Sequence, residues 1–325
     1  MKAYKIKNYG KPDEVLSLTE VEQPKPKDAE VLVKIRATAI NDYDWCLATG
    51  KPISYRLFFG LFSPRKKLMI PGMELSGIVE QVGNKVTKFK RGDAVYGDIS
   101  NFGFGSFAEF LCIDEKALEL KPDSMSFEEA TSIPHAAMLA LQGLRDIGQI
   151  KKGQRILING GGGGVGSFSL QLAKLNKTFV TGVDTGEKLK AMKTLGFDKV
   201  MDYKKEDFTK SDQQYDLILD CRTNRSLWKF LKVLKPEGKY VSIGGKSGKL
   251  LQLLYMRPLL KLFSKKRFYL VMLKANNDLA YINRLYDDKK INCVVDGPYA
   301  FEKIPWAIQR FGDGLHHGKI VISLN

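Results

Sequence analysis

Five consecutive glycines, Gly160 to Gly164, continue through Val165-Gly166 and separate two stretches of different character. Ahead of them runs the apolar Ile156-Leu157-Ile158-Asn159; behind them Ser167 to Lys174 alternates small and apolar residues like a buried helix. Strand, tight glycine turn and helix start, in that order, make a dinucleotide site. Gly161, Gly163 and Gly166 carry the G-x-G-x-x-G spacing, in which the missing side chains let the turn tighten, a pyrophosphate approach the backbone, and the helix sit against its strand. Gly164 and Val165 join them as expected cofactor contacts, and the N-terminus of the helix that follows then faces the phosphates. A merely flexible loop would lack these flanks. The pattern predicts binding of NAD(H) or NADP(H).

The residues downstream repeat the same alternation. Phe179 to Val183 reads as a second strand, Glu187 to Leu195 as a helix ended by Gly196, and Lys199 to Tyr203 as a third strand. Tyr215 to Asp220 is a fourth, Leu227 to Leu234 a helix closed by Pro236 and Gly238, Lys239 to Ile243 a fifth strand before Gly244-Gly245, and Phe268 to Leu273 a sixth. Apolar runs alternating with helices imply parallel strands, hence an α/β Rossmann domain. From Met1 to about Asp123 the texture changes to short Val/Ile-rich segments between Gly, Pro and Asp: Glu30 to Ala37, Ser76 to Val82, Asp93 to Tyr96 and Phe107 to Ile113. This predicts a mostly β domain over 1–124, completed by a returning C-terminal piece at about 294–325, with the Rossmann domain at 125–293. Substrates usually bind in a cleft between two such domains.

Composition narrows the function classes. Residues 1–30 hold no apolar core of signal-peptide length, and no apolar run approaches the ~20 residues needed to span a bilayer, so a cytoplasmic protein is expected. Cys46, Cys112, Cys221 and Cys293 are scattered without C-x-x-C spacing, which suggests neither a disulfide scaffold nor a cysteine zinc knuckle. The net charge of +16 raises nucleic acid, anionic membrane and acidic ligands as partners. The lysines are spread out, however, and no nucleic-acid motif or aromatic stacking pattern accompanies them, so a solvated basic surface is the preferred reading and nucleic acid is not expected. Lys249 to Arg267 is the exception, with leucines interleaved with Arg257, Lys261, Lys265, Lys266 and Arg267. A cover for a substrate cleft or a subunit contact is favoured there over a membrane interface, and Pro258 is expected to break a long helix.

Several motifs in order carry a resemblance: the opening Met1-Lys2-Ala3-Tyr4, the Val31 to Asn41 strand, Pro71 to Val79, Phe107 to Phe110, the glycine motif, Leu234 to Gly238, and Gly318 to Ile322. Together they make the chain resemble the medium-chain dehydrogenase/reductase superfamily, in particular its zinc-independent branch of quinone oxidoreductases and enone reductases. The resemblance implies a GroES-like β domain beside the Rossmann domain, and a homodimer. Zinc-dependent members place a cysteine at the start of the segment that here runs Asn41-Asp42-Tyr43-Asp44, and a histidine where Met73 follows Gly72. The third ligand position falls near His135, and one imidazole does not make the three-ligand site of a zinc enzyme, so no metal is expected.

What the resemblance then implies is hydride transfer to a quinone or to an enone or enal, a small apolar carbonyl substrate. Asn41 matches the asparagine at the substrate and nicotinamide-ribose end of the family's cleft. Tyr43 and Tyr55 are candidate hydrogen-bond donors to the oxygen that gains charge, with ordinary packing as the alternative for each. His135, in Ile133 to Ala137, matches a region beside the nicotinamide, with a hydrogen-bonded boundary histidine as its alternative. The chain departs from the pattern at Leu139, where the family has threonine, and at Cys221 to Arg225, where it has Val-Gly. A cofactor-binding protein with little catalysis, acting as a redox sensor or at a surface, therefore stays open beside the reductase. For the cofactor, Asp184 suits the ribose hydroxyl of NADH, whereas Thr185, Lys188 and Tyr203 match residues that NADPH-dependent relatives place around the 2'-phosphate. NADPH is favoured, with Gly244 a further cofactor contact.

Overall fold

The computed structural model of the chain describes residues 1–244 and 247–324. The chain divides into two compact units, the first comprising Met1–His135, Ala275–Asn283 and Cys293–Asn325, the second Ala136–Lys274 and Arg284–Asn292.

In the first unit the strands are antiparallel except at one edge. Their order is Val295–Ala300, Lys319–Ser323, Glu30–Ala39, Glu74–Val82, Ala94–Asp98 and Glu119–Leu120, with Phe110–Asp114 pairing the N-terminal half of Glu30–Ala39. The C-terminal strand Lys319–Ser323 thus returns to pair Ala37–Ala39. One core gathers Val31, Val33, Ile35, Leu75, Val79, Val95, Ile320 and Ile322 from successive strands, the alternate residues of half-buried strands. The boundary expected at residue 124 falls instead between His135 and Ala136. The helix Phe127–Thr131 packs on the first unit's sheet, and Ser76 Oγ donates to the Phe127 carbonyl at 2.6 Å. Ala275–Asn283 also joins this unit rather than the Rossmann sheet. Asn276 explains it, because its amide accepts from Asp98 N at 2.8 Å and donates to the Asp98 and Ala117 carbonyls at 2.9 Å each.

The second unit is one sheet in the order Lys199–Asp202, Phe179–Asp184, Arg155–Asn159, Tyr215–Asp220, Leu234–Ser242, Arg267–Leu270, and every pairing in it is parallel. In sequence rank this is 3-2-1-4-5-6, the doubly wound order that opens a crevice beyond the C-terminal ends of the strands beside the first one. The fifth strand starts earlier than expected. Leu234 already pairs with Tyr215, so Pro236 and Gly238 lie in a bulged strand start rather than closing the preceding helix, Leu227–Val233. Pro258 does not break its helix either, since Ser247–Phe263 runs through it. Leu253, Met256 and Leu260 anchor that helix in the core while Tyr255, Leu262 and Phe263 are exposed; the side chains of Leu250, Leu251 and Leu259 lie outside the described residues.

Candidate active site

The glycine turn lies between Arg155–Asn159 and the helix Gly164–Lys174, with Gly163 at the helix N-cap. The first-turn amides of such a helix have no carbonyl partner within it and aim out of the turn. Gly166 is required by packing, because a Cβ there would stand 2.3 Å from the Gly160 carbonyl oxygen and 2.6 Å from Gly161 Cα. At Gly161 the nearest atom would be Met192 Cε at 2.7 Å, a flexible neighbour. The turn is tied to the next strand by Asp184, whose Oδ2 accepts from Gly162 N at 2.9 Å while its Oδ1 accepts from Thr185 N at 2.9 Å. Lys188 Nζ lies 3.6 Å from the same Oδ1, and both side chains are buried. The carboxylate expected to bind a ribose therefore serves the turn and an ion pair. Tyr203 is half-exposed beside it, with its backbone N–H on the Asp184 carbonyl. Gly244 lies past the end of the fifth strand, and among the described residues a Cβ there would meet nothing within 4 Å.

Between these strand ends sits a second polar knot that the sequence did not disclose. Asp220, fully buried, accepts from Asn159 Nδ2 and Tyr240 Oη at 2.8 and 2.7 Å and from the backbone of Arg222 and Thr223 at 3.0 and 2.8 Å. Four donors offset the cost of burying this polar group. They also hold Thr223 at φ +40°, a left-handed turn, and lay the Arg222 stem 3.2 Å from where a Gly160 Cβ would stand. The departure from Val-Gly at this point thus has a structural reason: Asp220 folds the segment against the glycine turn.

In the first unit, the polar residues collect at one end of the sheet. Asn41 lies two residues past the end of the strand Glu30–Ala39, Glu74 opens the next strand opposite Asp98 in register, and Lys319 opens the C-terminal strand. Asn41 Nδ2 donates to Glu74 Oε2 at 2.8 Å, while Lys319 Nζ binds both Asn41 Oδ1 and, at 2.6 Å, the same Glu74 oxygen. Glu74 Oε1 accepts from His135 N at 2.5 Å. That amide is an orphan donor in the first turn of a helix begun by Pro134. His135 Nδ1 meets Asp98 Oδ2 at 2.8 Å, and Nε2 stands 3.8 Å from Asp42, whose carboxylate is half-exposed. Burial alone would push Asp98 up and His135 down, but their hydrogen bond and opposite charges reverse both, holding Asp98 below its ordinary range and His135 above its own. Asp44, fully buried, is pushed up to about 7 by burial despite accepting from the Asn41 and Gly72 amides at 2.8 and 2.9 Å.

Tyr43 and Tyr55 pack edge-on or tilted in an aromatic group with Phe59 and Phe104 at centroid distances of 5.8 to 6.4 Å. Burial raises both phenols, Tyr43 to about 12, so at neutral pH each keeps its proton and remains a donor. The first unit thus brings Asn41 and His135 into one charged network and Tyr43 with Tyr55 into an aromatic one. Glu74, Asp98 and Lys319 complete the charged network, and sequence reasoning did not single them out as site residues.

Two domain families match this architecture, the alcohol dehydrogenase GroES-like domain over residues 27–123 and the zinc-binding dehydrogenase family over residues 195–322. A 2-methylene-furan-3-one reductase of Solanum lycopersicum is 33% identical over 99% of this chain and 79% of its own length. The chain belongs to the medium-chain dehydrogenase/reductase superfamily. Within it the likeness is to the quinone oxidoreductase branch. The chloroplast envelope quinone oxidoreductase homolog of Arabidopsis thaliana is 30% identical over 99% of this chain and 98% of its own. The solved quinone oxidoreductase of Coxiella burnetii superposes with a TM-score of 0.85 at 26% identity, over 100% of this chain and 99% of that one. Where the resemblance puts the ligands of the zinc-dependent members stand Asn41 and Met73, with His135 near the third position, and the Lys319 ammonium binds the Asn41 amide oxygen. A fixed cation at that point opposes a second one, so these residues do not fit a catalytic zinc.

Proposed function

We propose that this member of the superfamily is an NADPH-dependent reductase of quinones or α,β-unsaturated carbonyls that works without metal. The observation that carries the reading is the joining of Asn41, Glu74 and Lys319 where a zinc site would need ligands, in a chain that keeps the full dinucleotide turn. The names of its relatives support the acceptor class, a furanone reductase, quinone oxidoreductases, and an NADPH-dependent alkenal/one oxidoreductase of Arabidopsis thaliana that is 30% identical over 99% of this chain. Bound NADPH supplies the hydride. Gly161, Gly163, Gly164, Val165 and Gly166 would hold its pyrophosphate, and Thr185, Lys188 and Tyr203 would hold the adenosine end. Asn41, locked by Lys319 and Glu74, presents a fixed amide that cannot titrate. Tyr43 and Tyr55 donate to the substrate oxygen as it gains charge. His135 delivers the proton, with Asp98 holding its charged form and half-exposed Asp42 linking it to solvent.

The His135 role has a pH signature. Its raised pKa means that the acid form persists above the ordinary histidine range and is lost as pH rises through the raised value; the same sign makes its contribution to stability largest at low pH. Turnover should therefore fall on the alkaline side. Asp98→Asn removes the charge that sustains the imidazolium, and burial then lowers the pKa, so the alkaline limb of the kcat profile should shift to lower pH. An unmoved limb would remove His135 from proton transfer.

The preference for NADPH rests on Asp184. With its oxygens on Gly162 N, Thr185 N and Lys188, the acid is neutralised rather than presented to a ribose. Lys188→Ala should weaken NADPH binding about tenfold and NADH binding less, because only the 2'-phosphate meets the ammonium. Asp184→Ala should weaken both, since the turn loses its tie. Fluorescence titration of both cofactors against both variants checks this, and equal affinities of the Lys188 variant and the parent chain would place the phosphate elsewhere.

A further inference from the structure

The segment Ile53 to Phe62 is apolar on both of its faces. Its inner face, Tyr55 and Phe59, packs against Tyr43 and Phe104. Its outer face shows Ile53, Leu57, Phe58, Leu61 and Phe62, of which Phe58 is 72% and Phe62 91% exposed. This display is held from below. Tyr9 Oη donates to the Gly60 carbonyl at 2.6 Å, Arg56 lies over the Tyr9 ring at 4.6 Å with its Nε on the Gly50 carbonyl, and Gly60 at φ +133° makes a turn that any side chain would drive into Ser63 O. Five large apolar side chains on a pinned scaffold form an interaction surface rather than scattered exposure.

The charge around them selects the partner. Between Asp44 and Glu74 the sequence has no acidic residue, and it carries Lys51, Arg56, Arg65, Lys66 and Lys67. Lys51, Arg65 and Lys66 are exposed at the flanks of the apolar group. A second copy of a chain with net charge +16 would set these cations against their own kind. A surface that offers negative charge at the rim and hydrocarbon beneath it complements both features. We propose that Ile53 to Phe62 seats the protein on an anionic lipid bilayer, with Leu57, Phe58, Leu61 and Phe62 entering the headgroup boundary and Lys51, Arg65 and Lys66 pairing with lipid phosphates. Binding of this kind needs no turnover, so it stands or falls separately from the reductase reading.

The test is co-sedimentation of the full chain with phosphatidylcholine vesicles, with and without phosphatidylglycerol. The chain should bind the anionic vesicles, and more weakly as salt rises. The variant Leu57→Ser/Phe58→Ser/Leu61→Ser/Phe62→Ser should lose more than about tenfold in affinity while keeping its thermal midpoint. Arg65→Glu/Lys66→Glu should lose the preference for phosphatidylglycerol. Leu262→Ser/Phe263→Ser, on the other exposed apolar helix, should bind as the parent does. A tryptophan probe, Phe62→Trp, should shift its emission to the blue when anionic vesicles are added. No vesicle binding by the parent chain, undiminished binding by the serine variant, loss confined to the Leu262/Phe263 variant, or an unshifted probe would each overturn the proposal. So would a self-association that the serine variant abolishes in a chain that ignores vesicles.

Discussion

Gly166→Val should abolish dinucleotide binding and destabilise the second unit. The β-carbon of valine would stand 2.3 Å from the Gly160 carbonyl oxygen and within 2.7 Å of the Gly161 backbone. Backbone cannot swing away as a side chain does, so the helix must retreat from the turn or the turn must open. Overpacking of this kind costs about 1–3 kcal/mol and more where nothing can relax. The amides aimed at the pyrophosphate move with the helix, and NADPH affinity should fall by about a hundredfold or more, which corresponds to roughly 2.7 kcal/mol. Gly161→Ala meets the end of Met192 first and should lose far less. Calorimetric titration of the two variants checks the contrast, and full NADPH affinity in Gly166→Val would deny the turn its role.

Breaking the Lys319–Glu74 pair should produce the second large effect. Both side chains are buried, the carboxylate completely, and Glu74 also holds the Asn41 amide and the first-turn amide of His135. Lys319→Met leaves a buried carboxylate without its cation, a loss of about 3–5 kcal/mol. Turnover should drop as well, because the Asn41 amide loses the partner that fixes its carbonyl oxygen. Adding Glu74→Gln to Lys319→Met removes the stranded charge and should recover part of the stability but not the orientation of Asn41. Urea unfolding of the single and double variants gives the coupling. Additive losses would mean that the ion pair contributes nothing beyond its separate parts.

The Rossmann sheet was legible because a parallel strand buried on both faces must be a continuous apolar run, as Ile156 to Ile158 and Leu217 to Leu219 are. The glycine turn was legible because spacing alone encodes its steric demand. The domain boundary was not, since it depends on Asn276 reaching Asp98 across most of the chain, and no local pattern announces such a contact. The same holds for the site. Asn41 and His135 were visible as matches to a family, whereas Glu74 and Lys319 are distant in sequence and meet only when their strands start at the same end of one sheet. A signal existed in the charged residue that opens each of the two strands ahead of buried apolar residues. Lys188 and Asp184 stood at i,i+4 spacing in the sequence, but their burial side by side, which takes the acid away from a ribose, appears only with the turn folded over them. Pro258 misled because a helix packed through Leu253, Met256 and Leu260 tolerates a proline that a solvated one would not.

The most direct measurement is the loss of reduced-nicotinamide absorbance with a panel of quinones, enals and enones, using NADPH and NADH, before and after exhaustive chelation. The structure predicts oxidation that requires an acceptor, favours NADPH, and persists in chelated protein. Tight NADPH binding without oxidation by any acceptor would instead make the chain a cofactor-binding protein, and activity lost on chelation and restored by zinc would contradict the reading of Asn41, Glu74 and Lys319.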